Sequence, residues 1–320
     1  MRVGLISNLR SQRNRRGIAT LREIAAARGN ILHRELEGIE GLETALAEFA
    51  AEGIEVLAVN GGDGTIQAVA SHLLNGAPFA KRPPIAVLSG GMTNMIAEDV
   101  GRRDKPGSSL RRLLVKLQGE NWHRDLVERP MIGMQLQPGA APIYGTFFGT
   151  SSIYRAIIYT RRHIHPMKLE SNLAAGLALG RLLLGRVFGG GKSEKVLQGE
   201  QITVDFGDGG QDSGQHLLSL VTGMERLILG SRPFWGGGEG ALHYTRIAQP
   251  APRLLRNGWK LLYGKPDRRL SPETAYFSRR ADEMTFHLEQ PFTLDGELFT
   301  PDPGVPVVLR GDKRIQFLKI

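Results

Sequence analysis

Two short stretches set carboxylates beside glycine in patterns suited to group transfer. The first is Asn60-Gly61-Gly62-Asp63-Gly64-Thr65, between an apolar, β-branched run from Ile54 to Val59 and a segment, Ile66 to Leu74, with apolar residues at helical spacing. A strand, a side-chain-poor turn and a helix start bring backbone N–H groups close to an anion, with the positive end of the helix behind them. The turn reads as a phosphate cradle, with Thr65 the expected N-cap. Asp63 would repel phosphates unless a cation lay between, which calls for Mg²⁺. The second stretch is Thr293-Leu294-Asp295-Gly296-Glu297. Taken alone, its Asp-Gly is a hairpin turn.

A glycine turn after a strand can also be purely structural. GGDGT in this setting, however, resembles the nucleotide-binding motif of the diacylglycerol kinase, ceramide kinase and sphingosine kinase superfamily of lipid kinases. The turn from Asn8 to Arg16 is similar to that family's Asn-Pro-x-Ser-Gly loop: Asn8 and Ser11 match, while Leu9 and Gln12 replace proline and glycine. The turn from Ser89 to Ala97 resembles the family's third loop at Gly91, Asn94 and Ala97, with Met92 and Met95 as departures. Thr93 and the apolar Met95 lean slightly toward sphingoid lipids. Asp295-Gly296-Glu297 resembles the superfamily's Asp-Gly-Glu motif.

The resemblance implies that Asn8, Ser11, Gly61, Gly62, Asp63, Gly64, Thr65, Gly91, Thr93 and Asn94 hold ATP, with Mg²⁺ at Asp63. It also makes Asp63, Asp295 and Glu297 the catalytic set, Glu297 and Asp63 being rivals for the base that takes the lipid hydroxyl proton. The acceptor would be the primary hydroxyl of a ceramide, a sphingoid base or a diacylglycerol. NAD kinases share GGDGT and are the enzymatic alternative, and the departures at Leu9, Met92 and Met95 leave a pseudokinase open.

The elements that would position these residues alternate. Strands at Arg2–Ser7, Ile31–Leu36, Ile54–Val59 and Ile85–Ser89 are separated by helices near Ile18–Arg28, Leu42–Glu52 and Ile66–Leu74, and a further helix from Ser108 to Gln118 ends at Gly119 as C-cap. This predicts a doubly wound parallel α/β domain, residues 1–120, with ligands outside the carboxyl ends of its strands. After Trp122 the chain breaks into short stretches between glycine and proline: Arg124–Glu128, Met131–Gln137, Ile143–Phe148, Gln201–Phe206, Gln215–Thr222, Ala241–Ala248, Thr274–Ser278, Glu283–Leu288 and Val305–Arg310. That pattern predicts a β-sandwich over residues 121–307. The resemblance implies the same plan, with residues 308–320 returning to the first domain.

At 320 residues with no cysteine, the chain has room for two cores and no thiolate chemistry. MRVGLISN already reads as a strand, so no signal peptide is expected, and no run is apolar enough to span a membrane. A net charge of +9 points to an anionic partner. Residues 152–196 carry eight Lys/Arg against two acids around LAAGLALGRLLLGRVF, 173–188. This predicts a basic amphipathic insertion on an anionic membrane surface, in a cytoplasmic protein held peripherally on the inner face. Residues 253–280 repeat that excess and read either as a flank of the same face or as a loop. Gly189-Gly190-Gly191-Lys192-Ser193 is no P-loop, since Arg186 stands where that motif needs glycine. No stacking platform or helix-turn-helix supports nucleic-acid binding. Oligomeric state is not legible.

Overall fold

The computed structural model describes residues 1–11, 14–76, 78–91, 95–101, 104–163, 198–252, 254–264 and 270–320. It comprises two compact units: one of Met1–Arg129, Arg226–Gly230 and Arg314–Ile320, the other of Pro130–Glu225 and Ser231–Lys313.

The first unit alternates β1 (Val3–Asn8), α1 (Asn14–Ala26), β2 (Ile31–Leu36), α2 (Leu42–Ala51), β3 (Val56–Gly61), α3 (Asp63–Leu74), β4 (Ile85–Ser89), α4 (Met95–Val100) and α5 (Pro106–Lys116). Its strands run parallel in the order β4-β3-β1-β2, and Phe317, near the chain's end, pairs in parallel with Ile85 on the outer edge of β4. Every residue of β3 and β4 is buried, as continuous apolar strands covered on both faces must be. On one face Val3, Leu5, Val56, Ala58, Ala86 and Leu88 pack against Leu21 and Ile24 of α1 and Leu110, Leu113 and Leu114 of α5. On the other, Phe49 of α2 lies so close to Gly4 that an added Cβ would sit 2.7 Å from its ring. The expected C-cap glycine is displaced, because α5 ends at Lys116 with Leu117 as its C-cap, two residues before Gly119.

Buried Asp99 on α4 joins distant pieces of this unit. Its carboxylate accepts from Arg129 Nε at 2.6 Å and from the Arg226 backbone N–H at 2.9 Å. Arg226–Gly230 is the excursion that returns to this unit from the middle of the chain.

The second unit takes up β5 (Leu126–Gln135) from Pro130 and continues with β6 (Ile143–Gly145), β7 (Phe147–Gly149), α6 (Ser152–His163), β8 (Glu200–Phe206), β9 (Gln211–Thr222), β10 (Leu242–Ala248), α7 (Leu254–Leu262), β11 (Tyr276–Ala281), β12 (Glu283–His287), β13 (Phe292–Leu294), β14 (Glu297–Phe299) and the start of β15 (Val307–Leu318). Antiparallel pairing gives the order β14-β13-β7-β9-β8-β12-β15, with β10 also on β9, β11 on β10, and β5 between β6 and β15. Inward residues of these strands, among them Met134, Phe148, Val204, Val221, Tyr244, Phe286 and Phe292, close over one core. The α/β-then-β architecture expected from the sequence is the one observed.

Several local expectations change. The stretches expected at Arg124–Glu128 and Met131–Gln137 contribute to one strand, β5, that runs through Pro130, while Arg124 and Asp125 belong to a 3-10 turn before it. Ile143–Phe148 is two strands because the Thr146 N–H and hydroxyl leave the ladder for the Asp295 carboxylate. The strand expected at Val305–Arg310 runs on to Leu318. The basic stretch 253–280 is no simple loop: α7 packs Leu254 and Leu261 with Leu217, Ile247 and Tyr276. The amphipathic segment at 173–188 lies outside the described residues. Among the described residues no helix is long and apolar enough to cross a membrane.

Within the second unit Asp212 accepts hydrogen bonds from the Tyr244 hydroxyl at 2.8 Å and from Arg246 Nη2 at 2.7 Å. His216, fully buried, lies with Nδ1 2.8 Å from Ser219 Oγ. Burial pushes its imidazole down to about 4, outweighing the nearby Asp212 carboxylate. Because this folded-state value is below that of an unfolded histidine, the unfolded chain binds more protons as pH falls from about 6.5 to 4. Stability is therefore expected to fall across that window, this group contributing on the order of 3 kcal/mol at about 1.4 kcal/mol per unit. Urea denaturation at pH 7 and pH 4.5 measures the loss, and His216→Gln should shrink it. An equal loss in the variant would assign the acid sensitivity elsewhere.

Candidate functional site

Parallel pairing sets Ser7 beside Asn60, Asn60 beside Leu88 and Gly61 beside Ser89. The turns after β1, β3 and β4 therefore open side by side at the carboxyl edge of the sheet. Asn8 organises the first of them. Its Oδ1 accepts from Arg10 N–H at 2.9 Å, and its Nδ2 donates to Thr65 Oγ1 at 2.8 Å, tying the first turn to the second. Ser11 lies in the same turn, its N–H bonded to Asn8 O at 3.1 Å.

The second turn drives straight into α3, whose N-cap is Gly62 rather than Thr65. Thr65 sits one turn inside the helix, where its hydroxyl serves Asn8. Asp63 and Gly64 occupy the first turn, at the positive end of a 12-residue helix. Gly61 must lack a side chain: a Cβ would lie 2.5 Å from Thr65 Cβ. Gly61→Ala should displace Thr65, break the Asn8 link and weaken nucleotide binding roughly tenfold, the worth of one hydrogen bond, with the fold retained. Titration with a fluorescent ADP analogue tests this, and unchanged affinity would remove the Asn8–Thr65 link from the site.

Asp63 is nearly buried, and both its oxygens are engaged. Oδ2 accepts from Met95 N–H at 3.1 Å and Oδ1 from Ile96 N–H at 3.2 Å, the first amides of α4. The positive charge that the sequence seemed to require beside this carboxylate is thus supplied in part by a second helix start. Among the described residues no group of three or more His, Asp or Glu side chains could hold a metal ion. The donor set here suits only an ion that rests mainly on phosphate and water, which is how Mg²⁺ usually binds. Gly91 closes the third turn against Gly62, whose added Cβ would lie 3.3 Å from Gly91 Cα. Thr93 and Asn94 lie outside the described residues.

Two residues here, Asn14 and Asn60, were given no role by the sequence. Asn14, at the start of α1, donates Nδ2 to Asn8 O at 2.7 Å and to Asn60 O at 3.2 Å, bridging the first and second turns. Asn60 donates to Ser7 Oγ at 3.2 Å. The side-chain oxygens of Asn14 and Asn60 are buried without a partner. A polar residue closing an apolar strand, as Asn60 closes β3, was the available signal.

Asp295 and Glu297 belong to the second unit. Asp295 and Gly296, with φ of 50° and 91°, form a two-residue turn joining β13 to β14, with Leu294 opposite Glu297. Asp295 Oδ1 accepts from Thr146 Oγ1 at 2.7 Å and Phe147 N–H at 2.8 Å, and Oδ2 from Thr146 N–H at 2.9 Å. These three bonds pin the hairpin to the β6–β7 junction. Glu297 is the exposed carboxylate that the hairpin presents.

An α/β unit with three polar turns on its carboxyl edge and an antiparallel β unit is the fold of solved diacylglycerol kinase structures from Bacillus anthracis str. Sterne, two of the three compared being so named provisionally. One covers 100% of this chain and 97% of its own at 16% identity and a TM-score of 0.68. The others cover 99% and 96% at 17% identity, with TM-scores of 0.64 and 0.60. Residues 2–121 match the model of the diacylglycerol kinase catalytic domain. A comparison with curated proteins found no match.

Proposed function

We infer that this protein is an ATP- and Mg²⁺-dependent lipid kinase acting on the primary hydroxyl of a ceramide, a sphingoid base or a diacylglycerol. The observation that carries this reading is the start of α3 behind Gly61 and Gly62, a helix dipole with its positive end at the carboxyl edge, within the stretch that matches a kinase catalytic domain. Phosphoryl transfer asks mainly for positioning and charge stabilisation. Asn8, Ser11, Gly61, Gly62, Gly64, Thr65, Gly91, Thr93 and Asn94 would hold the nucleotide, and Asp63 would keep α4 in register and stand ready as the carboxylate ligand of Mg²⁺. The ion, when bound, would supply neutralisation of phosphate charge.

Glu297 takes the hydroxyl proton while the substrate oxygen forms its bond to the γ-phosphorus and the bond to the bridging oxygen of ADP breaks. Asp295 fixes the hairpin that carries Glu297. The basic excess of residues 152–196 supports action at an anionic membrane surface on the cytoplasmic side.

Transfer of labelled γ-phosphate from ATP with Mg²⁺ onto diacylglycerol, ceramide, sphingosine and NAD in mixed micelles tests the reading. Label in one lipid supports it and names the acceptor. Label in NAD alone moves the activity to a soluble dinucleotide, and ATP binding without transfer marks a pseudokinase. Pelleting with anionic liposomes tests the membrane surface, with a protein left in the supernatant counting against it.

A further inference from the structure

Beneath the nucleotide turns a line of polar side chains crosses three neighbouring strands of the first unit. His33 on β2 has Nε2 2.9 Å from Ser7 Oγ on β1, and Ser7 Oγ accepts from Asn60 Nδ2 on β3 at 3.2 Å. Ser7 and Asn60 are fully buried, and His33 keeps a 12% exposed edge beside Arg22, Ala25 and Ala26 of α1. The far end of the line is Asn60 Oδ1, which has no donor. It faces Gly90 of the third turn so closely that a Cβ there would lie 2.6 Å away.

We propose that His33, Ser7 and Asn60 form a hydrogen-bond relay whose polarity reverses when nucleotide occupies the turns, so that binding is registered in which His33 nitrogen carries the proton. The proposal rests on the nucleotide-binding reading of those turns. In the arrangement observed, Asn60 gives its amide N–H to Ser7 and an amide oxygen is left buried and unpaired beneath Gly90; in the proposed free state Ser7 gives its hydroxyl proton to a bare His33 Nε2. That oxygen carries the cost of an unmade hydrogen bond, and it presents an acceptor on the side where phosphate oxygens, themselves acceptors, would gather.

A half-turn of the Asn60 amide resolves both. His33 Nε2–H then donates to Ser7, Ser7 donates to Asn60 Oδ1, and Asn60 Nδ2–H faces the turn as a donor. The imidazole loses a proton at Nδ1 and gains one at Nε2 by exchange with water at its exposed edge, so no net charge changes. The charged groups facing the ring are Glu35 and Arg34 of β2 and Arg22 of α1. Burial, the dominant influence, disfavours the imidazolium, with Arg22 and Arg34 acting in the same sense and Glu35 against. The relay therefore works between neutral tautomers. His33 and Ser7 are positioning residues that act through Asn60.

The test is ¹⁵N NMR of histidine-labelled full-length protein with and without saturating ADP, the His33 signals being assigned from their loss in His33→Gln. The expected result is a ring protonated at Nδ1 in the free protein and at Nε2 with ADP, with Ser7→Ala abolishing the change and weakening ADP roughly three- to tenfold, the range of one hydrogen bond. An ADP-bound protein, verified by displacement of a fluorescent analogue, whose His33 tautomer does not move overturns the relay alone. So does a tautomer change that persists in Ser7→Ala. Should that variant fail to fold, the wild-type spectra decide. Failure of ADP to bind overturns the relay together with the reading beneath it.

Discussion

Replacing Glu297 by Gln is expected to lower turnover 10²–10⁴-fold while leaving ATP affinity and thermal stability where they were. The amide keeps the shape and the β14 backbone pairing of the native residue but cannot take a proton. Glu297 is exposed, so its own side chain carries little of the fold. Asp295→Ala should also lose activity, for a different reason: three hydrogen bonds that hold the hairpin disappear. The two variants separate on structure, since only Asp295→Ala should shift the amide resonances of Thr146 and Phe147. Wild-type turnover in Glu297→Gln would move the base to Asp63, despite the engagement of both Asp63 oxygens with α4.

Asp99→Ala should cost about 3–5 kcal/mol of stability, the usual penalty for leaving one partner of a buried ion pair alone. Arg129 would remain beneath the surface with its main counter-charge gone, its side chain being only 14% exposed. The Arg226 N–H would also lose its acceptor. Urea denaturation followed by circular dichroism measures the loss, and Asp99→Asn, which keeps an acceptor for Arg226, should fall between the two. A loss below about 1 kcal/mol would mean that water replaces the carboxylate freely, as at exposed pairs.

The contrast between these carboxylates shows what was legible. Gly61–Thr65 stands out because strand, turn and helix are contiguous in the chain, so local pattern alone writes the cradle. Asp295-Gly296 is a hairpin turn for an equally local reason. Asn60 and Asn14 could not be read so, because their meaning comes from partners 53 and 46 positions away. Asp99 is harder still, since it bonds residues 30 and 127 positions distant. The surroundings of Asp63 were hidden for the same cause: its partners, the Met95 and Ile96 amides, belong to a helix of six residues too short to announce itself. Strand lengths in the β unit were misjudged where side chains interrupt or extend pairing, as Thr146 does by turning to Asp295.

The first unit is written in three instalments, and the last, Arg314–Ile320, closes the edge of β4 through Phe317. A ribosome that has delivered residues 1–129 still has most of the chain to make before that edge strand exists. At ordinary synthesis rates of about 5–20 residues per second, β4 stands with bare N–H and C=O groups for on the order of ten seconds or more. The first unit therefore completes its sheet only after the whole of the second unit has been made.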